Sequence, residues 1–322
     1  MFNAWNIGFL HFAGEGAAAL LLSPWGLGLV GLMVGSFLNV VVHRLPAMLW
    51  REWWKDSVEF QLGDVRAWQP LFGTNAVSPP QLAAAATAVS VALEKLPVQT
   101  LLRPRSRCPH CGHVLRWYEN VPVISWLFLR AKCSACSERI SVRYPAVEVT
   151  TAGLFASAAV MFGPHPEALL WCAAIALLLT MALIDFDTTL LPDGLTLPLI
   201  GLGLVGALAG WSGVSPSAAL AGAVAGYGVL WSVGFVYGQL RGVNAMAEGD
   251  MKMLAGIGAL LGWQALPSAL LLAAALGAVV GITLIAGFGH KREQPIPFGP
   301  YLALGGLCSI FFGDTLRAVW HL

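Results

Sequence analysis

The chain has 322 residues, of which 57% are hydrophobic and only 11% are charged, and its mean hydropathy is +0.71. Soluble domains carry roughly 25% charged residues, so this composition excludes an ordinary soluble domain and indicates a protein whose solvent is a lipid bilayer. The formal net charge of +1 indicates no class of partner by itself; we expect contact with the bilayer and no nucleic-acid partner.

Apolar runs close to the length of a membrane helix recur along the chain. A membrane span needs about 20 apolar residues, and the uncharged runs predict eight spans, two of them short. These runs are 17–42, 149–162, 168–184, 195–211, 218–239, 253–263, 266–288 and 300–312. The first 16 residues contain no Lys or Arg, so we expect no cleaved secretory signal and a first span that is retained.

The distribution of cations predicts the orientation of these spans. Thirteen of the 18 Lys and Arg residues lie between Arg44 and Arg143, and regions rich in Lys and Arg remain in the cytosol. Eight crossings place the amino terminus outside and return four more cations to the cytosol, namely Arg241, Lys252, Lys291 and Arg292. We therefore predict a first transmembrane helix in 1–43, a cytosolic region in 44–143 and a seven-helix membrane domain in 144–322.

Two helices are predicted within the cytosolic region. Residues 45–60 are rich in Trp and charge, which suits either a helix lying at the lipid headgroups or a plain soluble helix. Residues 81–96 (QLAAAATAVSVALEKL) indicate a short Ala-rich helix between two Pro-bearing stretches. That segment is too short and too close to the cationic cluster to be a further span.

Four cysteines in the cytosolic region have the spacing of a metal site. Two CxxC pairs, Cys108 with Cys111 and Cys133 with Cys136, are separated by 21 residues, close to the spacing of structural zinc ribbons. Redox disulfides are the alternative, which reducing cytosol disfavours. We predict a structural Zn²⁺ that supplies folding free energy to a domain with little core of its own. The fold class is thus all-α and polytopic, with a small cytosolic zinc-ribbon-like domain inserted after the first helix.

Two groups of acids lie at the predicted cytosolic ends of membrane helices. The stretch 183–193 (LIDFDTTLLPD) contains Asp185, Asp187 and Asp193, and the stretch 245–252 (AMAEGDMK) contains Asp250. Ionisable groups in membrane helices are costly and are functional candidates by default. Both groups should face the same side of the membrane, so Asp185 and Asp250 can meet although 65 residues separate them.

A pair of carboxyl groups suits peptide hydrolysis. One carboxylate takes a proton from water while one carboxylic acid polarises the scissile carbonyl, and two acids in a low-dielectric site divide into these forms. Gly249 would let the backbone bend so that Asp250 reaches its partner helix, and Lys252 would act as an interfacial cation or favour the ionised form of Asp250. Asp187 and Asp193 are supporting candidates or ordinary interfacial charges. Glu148 could pair with Arg143 or contact substrate, and we expect the pair.

Four stretches together resemble the type IV prepilin peptidase family of membrane-embedded GxGD-type aspartic peptidases. They are 35–46 (GSFLNVVVHRLP), the tetracysteine segment with 116–126 (RWYENVPVISW) and 140–145 (ISVRYP), Asp185 seven residues before Pro192, and 297–305 (PFGPYLALG). The resemblance implies that Asp185 and Asp250 are the catalytic pair. Ala247 replaces the first Gly of the GxGD motif, which puts the local backbone geometry in question, and the long segment 45–103 receives no role.

The resemblance further implies a bifunctional enzyme of the bacterial inner membrane. It would remove a short basic leader from prepilins or pseudopilins at the cytosolic face and methylate the new amino terminus from S-adenosylmethionine, for which the sequence offers no recognisable binding motif. Two alternatives remain at this stage. One is a non-catalytic subunit of a pilus or secretion assembly, and the other is a proton or metal transporter. A transporter would need acidic residues along its spans as a relay, and the predicted spans are nearly free of charge.

Overall fold

The computed structural model describes residues 16–63, 80–242, 246–288 and 296–320, and these residues are almost entirely helical. Lys291 and Arg292, which the charge pattern returns to the cytosol, lie outside the described residues. In chain order the α-helices are α1 (Ala17–Leu21), α2 (Pro24–Gly63), α3 (Pro80–Glu94), α4 (Ile124–Phe128), α5 (Arg143–Phe162), α6 (Glu167–Thr188), α7 (Asp193–Leu208), α8 (Pro216–Arg241), α9 (Glu248–Leu261), α10 (Leu266–Phe288) and α11 (Gly299–Trp320).

Helices cover all eight apolar runs, which confirms the all-helical, multi-span architecture. Within the described residues, five helices are long and apolar enough to cross a bilayer, and α7 is a shorter apolar helix. The five segments are Pro24–Phe60, Arg143–Phe162, Glu167–Thr188, Pro216–Arg241 and Trp263–Gly287. Eight crossings therefore remain a prediction.

The first membrane helix is longer than the sequence predicts. Helix α2 runs for 40 residues, about 60 Å at 1.5 Å per residue, so the Trp-rich segment 45–60 continues this helix. The Ala-rich segment is helical, as predicted, and packs against α2. Arg51 on α2 donates to the carbonyl oxygens of Leu93, Leu96 and Pro97. These bonds satisfy one carbonyl in the last turn of α3 and two in the residues that follow it, where the helix supplies few donors.

Helices α2 and α5 approach each other closely along a stripe of small residues. A Cβ atom added to Gly31 would lie 2.7 Å from Cα of Ala152, and one added to Gly35 would lie 2.7 Å from Cα of Glu148. Glycines spaced by four residues allow such close packing of membrane helices. The side chain of Asn39 donates to the carbonyl oxygen of Tyr144 at 3.2 Å, so a polar contact joins the same two helices.

Helix α9 lies at the centre of the membrane domain. It has only 14 residues, and nearly all of them after Gly249 are buried among α7, α8 and α11. Gly203 of α7 and Gly222 of α8 pack directly on its backbone at Ala259 and Gly258. A helix enclosed by other helices meets little lipid, which explains why so short an apolar run forms a stable membrane-domain helix.

Candidate functional site

The two aspartates singled out from the sequence lie at the same end of the helical bundle. Asp185 is in the last turn of α6 and Asp250 is in the first turn of α9. Both residues are buried, with only 5% and 6% of their surface exposed. Helices α6 and α9, which carry them, both pack against α11. The helix packing thus brings together two acids that are remote in sequence.

Helix α11 contacts both helices that carry these acids. A Cβ atom added to Gly306 of α11 would lie 3.0 Å from Cδ1 of Ile257 and 3.6 Å from Cδ1 of Leu178. Leu178 precedes Asp185 by seven residues, and Ile257 follows Asp250 by seven residues. Seven residues are about two helical turns, so each aspartate lies on the same helix face as the residue that contacts α11, two turns closer to the bundle end.

The amino terminus of α11 contacts Asp185 directly. The backbone N–H of Gly299 donates to Oδ2 of Asp185 at 2.8 Å, and a Cβ atom added to Gly299 would lie 2.7 Å from that oxygen. No role of Gly299 was predicted from its position in the sequence. The feature that could have identified Gly299 is the Pro-Phe-Gly-Pro stretch 297–300. Gly299 heads a helix there, and unlike the two prolines of the stretch it has a backbone N–H that can donate.

Gly249 is needed for space. The residue lies in the first turn of α9, and a Cβ atom added there would lie 2.5 Å from Cβ of Leu191 and 3.2 Å from the Leu191 carbonyl oxygen. The loop between α6 and α7 therefore rests directly on the start of α9. We expected Gly249 to permit a backbone bend, but the glycine instead permits this close contact.

The supporting residues form ion pairs that join the helix ends around the aspartates. Lys252 contacts Asp193 at 2.8 Å and Glu248 at 2.9 Å, which ties the start of α7 to the start of α9. Asp187 accepts two hydrogen bonds from the guanidinium of Arg143, at 2.8 and 2.7 Å. This pair ties the end of α6 to the start of α5. Neither cation pairs with Asp185 or Asp250 among the described residues.

The alanine that departs from the GxGD motif is accommodated without strain. Ala247 precedes α9 with φ −75° and ψ 141°, an extended conformation that any L-residue adopts. Its side chain is exposed, so within the described part of the chain the extra methyl group is not packed into the core beside Asp250. The geometry gives no reason for lost activity, which was the basis of the assembly-subunit alternative.

Glu148 connects the tetracysteine region to helix α5. Its Oε2 accepts a hydrogen bond from the backbone N–H of Val123 at 2.7 Å, and the residue is buried. The prediction that Glu148 pairs with Arg143 is wrong, because Arg143 is engaged by Asp187. Val123 has a φ of 58°, an uncommon backbone conformation for a β-branched residue, and the bond to Glu148 holds the loop there.

The four cysteines converge as the sequence predicts. Their sulfur atoms all lie within 4.8 Å of one another, with Cys108 3.8 Å from Cys136 and Cys111 4.0 Å from Cys133. A tetrahedral zinc site with Zn–S bonds of about 2.3 Å places its sulfur atoms roughly 3.8 Å apart. The cluster therefore has the dimensions of a metal centre.

The two knuckles have the same local structure. The fourth residue after each leading cysteine, Gly112 or Ser137, has a positive φ and donates its N–H to the carbonyl of that cysteine. Backbone N–H groups of His110 and Cys111 point at the Cys108 sulfur and lower the pKa of that thiol below its usual range, which favours the thiolate that binds metal. An isolated antiparallel bridge closes each knuckle.

A buried carboxylate links the two knuckles beside the cysteines. Glu119 accepts from the Arg116 N–H at 2.7 Å, and the ring of His113 contacts the same oxygen at 3.2 Å. The Arg116 N–H and the hydroxyl of Ser134 lower the pKa of Glu119 to about 2. His113, from the first knuckle, and Ser134, from the second, thus share one ionised partner.

Family models and curated relatives match most of this chain. Residues 29–162 match the model of the bacterial peptidase A24 N-terminal domain, and residues 172–282 match that of the type IV leader peptidase family. A prepilin leader peptidase/N-methyltransferase of Burkholderia pseudomallei strain 1026b is 43% identical, over 94% of this chain and 92% of the relative.

Relatives in other genera carry the same name. The prepilin leader peptidase/N-methyltransferase of Aeromonas hydrophila is 43% identical, over 91% of this chain and 92% of the relative. That of Pseudomonas aeruginosa PAO1 is 41% identical, over 91% of both chains. No solved structure matches. With matched models over most of its length and relatives of this similarity, the chain belongs to the type IV leader peptidase family.

Proposed function

We propose that this protein is a membrane aspartic endopeptidase that removes the short basic leader from type IV prepilins or pseudopilins and N-methylates the new amino terminus. Similarity to prepilin leader peptidase/N-methyltransferases over more than nine-tenths of the chain carries this proposal. Two buried carboxyl groups at one end of the bundle support the peptidase half independently.

Asp185 and Asp250 are the proposed catalytic pair. Hydrolysis by two acids requires one carboxylate to activate water and one carboxylic acid to polarise the scissile carbonyl. Both side chains are buried at the ends of their helices, where a pilin precursor anchored by its own apolar helix would present its leader. Gly249, Lys252, Asp187 and Asp193 act as supports by holding the helix ends around the pair.

The proposed location is the bacterial inner membrane, with the amino terminus outside and the tetracysteine region in the cytosol. The excess of Lys and Arg between Arg44 and Arg143 supports this orientation. The bonds from Asp187 to Arg143 and from Glu148 to Val123 support it too, because they join the tetracysteine region to the bundle end that carries the aspartates. The division into segments 1–43, 44–143 and 144–322 is part of the same proposal.

Two cofactors are proposed. Zn²⁺ would be held by Cys108, Cys111, Cys133 and Cys136 in a structural role, because four cysteine ligands leave no open position for substrate. S-adenosylmethionine would supply the methyl group, which follows from the methyltransferase name of the relatives.

Conservative substitutions test the peptidase assignment. Each of Asp185→Asn and Asp250→Asn should abolish leader removal while leaving a protein that still inserts and purifies. Asp56→Asn, which changes an exposed acid on the cytosolic extension of α2, should behave like the parent. Mass spectrometry of a co-expressed prepilin reads leader loss and the added methyl group as separate mass shifts. Retained cleavage in either Asn variant would refute the catalytic pair.

A further inference from the structure

The two aspartates have different surroundings, and the difference distinguishes their chemical roles. Asp185 accepts a hydrogen bond at 2.8 Å from the backbone N–H of Gly299, which heads the 22-residue helix α11. Asp250 has an oxygen, Oδ1, that is buried and makes no hydrogen bond with the described residues. The two acids are similarly buried, so the difference lies in their partners.

The contact with α11 favours a negative charge on Asp185. The amino-terminal N–H groups of a helix lack partners within the helix and carry its positive partial charge. An N–H donor also stabilises an ionised carboxylate more strongly than a neutral acid. Gly299 can come this close only because it lacks a side chain, since a Cβ atom there would lie 2.7 Å from Oδ2 of Asp185.

The surroundings of Asp250 favour the neutral acid. An ionised carboxylate that is buried without donors is costly, and a second negative charge at the same end of the bundle adds to that cost. The nearby cations Lys252 and Arg143 do not relieve this cost. Lys252 pairs with Asp193 and Glu248, and Arg143 pairs with Asp187. A protonated Asp250 supplies its own O–H donor, which can bond to a substrate carbonyl.

We propose that the N–H of Gly299 is a positioning group that holds Asp185 ionised, so that Asp185 is the general base and Asp250 is the general acid. This inference rests on the proposed peptidase function and assigns the two roles within it. It also gives the stretch 297–300 a function, as the segment that presents one backbone donor to the catalytic base.

The proton balance of the reaction follows from this assignment. Asp185 takes a proton from water as the water oxygen bonds to the scissile carbonyl carbon, and Asp250 gives its proton to the carbonyl oxygen. The product is a neutral tetrahedral diol with Asp185 protonated and Asp250 ionised. When the C–N bond breaks, Asp185 returns its proton to the leaving nitrogen. One diol hydroxyl then returns a proton to Asp250, which restores the starting enzyme.

Infrared spectroscopy of the purified full-length protein at neutral pH tests the assignment without substrate. The carbonyl stretch of a protonated carboxylic acid is separate from the bands of a carboxylate. The difference spectrum of Asp250→Asn should show loss of one such band, and that of Asp185→Asn should show none. Loss in Asp185→Asn alone, or loss in neither variant, would overturn the assignment. Other buried acids are common to all spectra and cancel.

Substitution of Gly299 tests the positioning role. Gly299→Ala should lower kcat by about tenfold to a hundredfold while KM changes by less than about twofold, because the change affects the base and not substrate binding. It should also add one band of protonated carboxylic acid, from Asp185. Gly228→Ala is the matched control, since a Cβ atom there meets nothing within 4 Å. Unchanged kcat in a folded Gly299→Ala variant would overturn the role.

The outcomes separate this inference from the function on which it rests. If both Asn variants are inactive but the lost infrared band belongs to Asp185, the peptidase proposal holds and the role assignment fails. If either Asn variant still cleaves prepilin, the catalytic pair itself is wrong. Should Gly299→Ala fail to fold, the infrared comparison of the two Asn variants still decides which acid is protonated.

Discussion

Gly249→Ala should impair leader cleavage because a methyl group at this position has no room. The new Cβ atom would lie 2.5 Å from Cβ of Leu191, whereas carbon atoms in contact are about 3.5–4.0 Å apart. The loop before α7 and the start of α9 must therefore separate by roughly 1 Å or more. The Cβ atom of Leu191 is fixed by the backbone. A change of side-chain rotamer therefore cannot relieve this clash.

The displacement reaches the site because Gly249 immediately precedes Asp250. Overpacking of this kind costs about 1–3 kcal/mol of stability, and a misplacement of about 1 Å in an active site can lower the rate about a hundredfold. We expect Gly249→Ala to cut the rate of leader removal tenfold to a hundredfold, measured with purified enzyme and a prepilin resolved on a gel.

Two further variants make this experiment specific. Gly194→Ala places the same methyl group in the first turn of α7, where a Cβ atom meets nothing within 4 Å, and it should retain nearly full activity. Leu191→Gly combined with Gly249→Ala removes the clashing atom and should recover part of the rate. Wild-type activity in Gly249→Ala alone would refute the steric reasoning.

Other expectations follow from the remaining contacts. Glu148→Ala leaves the Val123 N–H without its acceptor and should lower the free energy of unfolding by about 1–3 kcal/mol, measured as a lower thermal midpoint. Glu148→Gln keeps an acceptor and should lose less. Equal midpoints for the two variants would contradict the role of this bond. Ala247→Gly should change the cleavage rate by less than about twofold, since Ala247 already has an unstrained φ of −75°; a large gain would show that the methyl group does constrain the site. Chelation should remove one metal ion per chain and expose the segment 104–142 to limited proteolysis. Elemental analysis gives the metal content, and a tetracysteine segment that resists protease without metal would argue against a structural role.

Much of the fold could be predicted because the membrane reduces the possibilities. A bilayer accepts helices whose apolar length matches its thickness, so runs of uncharged residues located the helices to within a few residues at most ends. The largest exception was α2, where the charged segment 45–60 continues the helix beyond the apolar run. Hydropathy predicts where the lipid-facing part of a helix ends. It does not predict that α2 continues beyond this part, where the helix packs against α3.

The candidate site was predictable in its residue types and less so in its contacts. Asp185 and Asp250 were identifiable because charge is rare in these spans, and the cysteines because their spacing is that of a metal site. The partners of Glu148 and Arg143 were predicted wrongly, since proximity in sequence favoured pairing them with each other. Their actual partners, Val123 and Asp187, depend on how the tetracysteine segment and α6 pack against α5.

The sequence by itself determined the solvent of this protein, its helices, the tetracysteine cluster and the two acids of the candidate site, because each of these depends on local composition or spacing. Only the tertiary structure decided which surfaces meet. The contact of Gly299 with Asp185, that of Gly249 with Leu191 and the different surroundings of the two aspartates arise from packing between segments 58 to 114 residues apart. Such contacts are set by the fit of whole helices, and no short stretch of sequence encodes them.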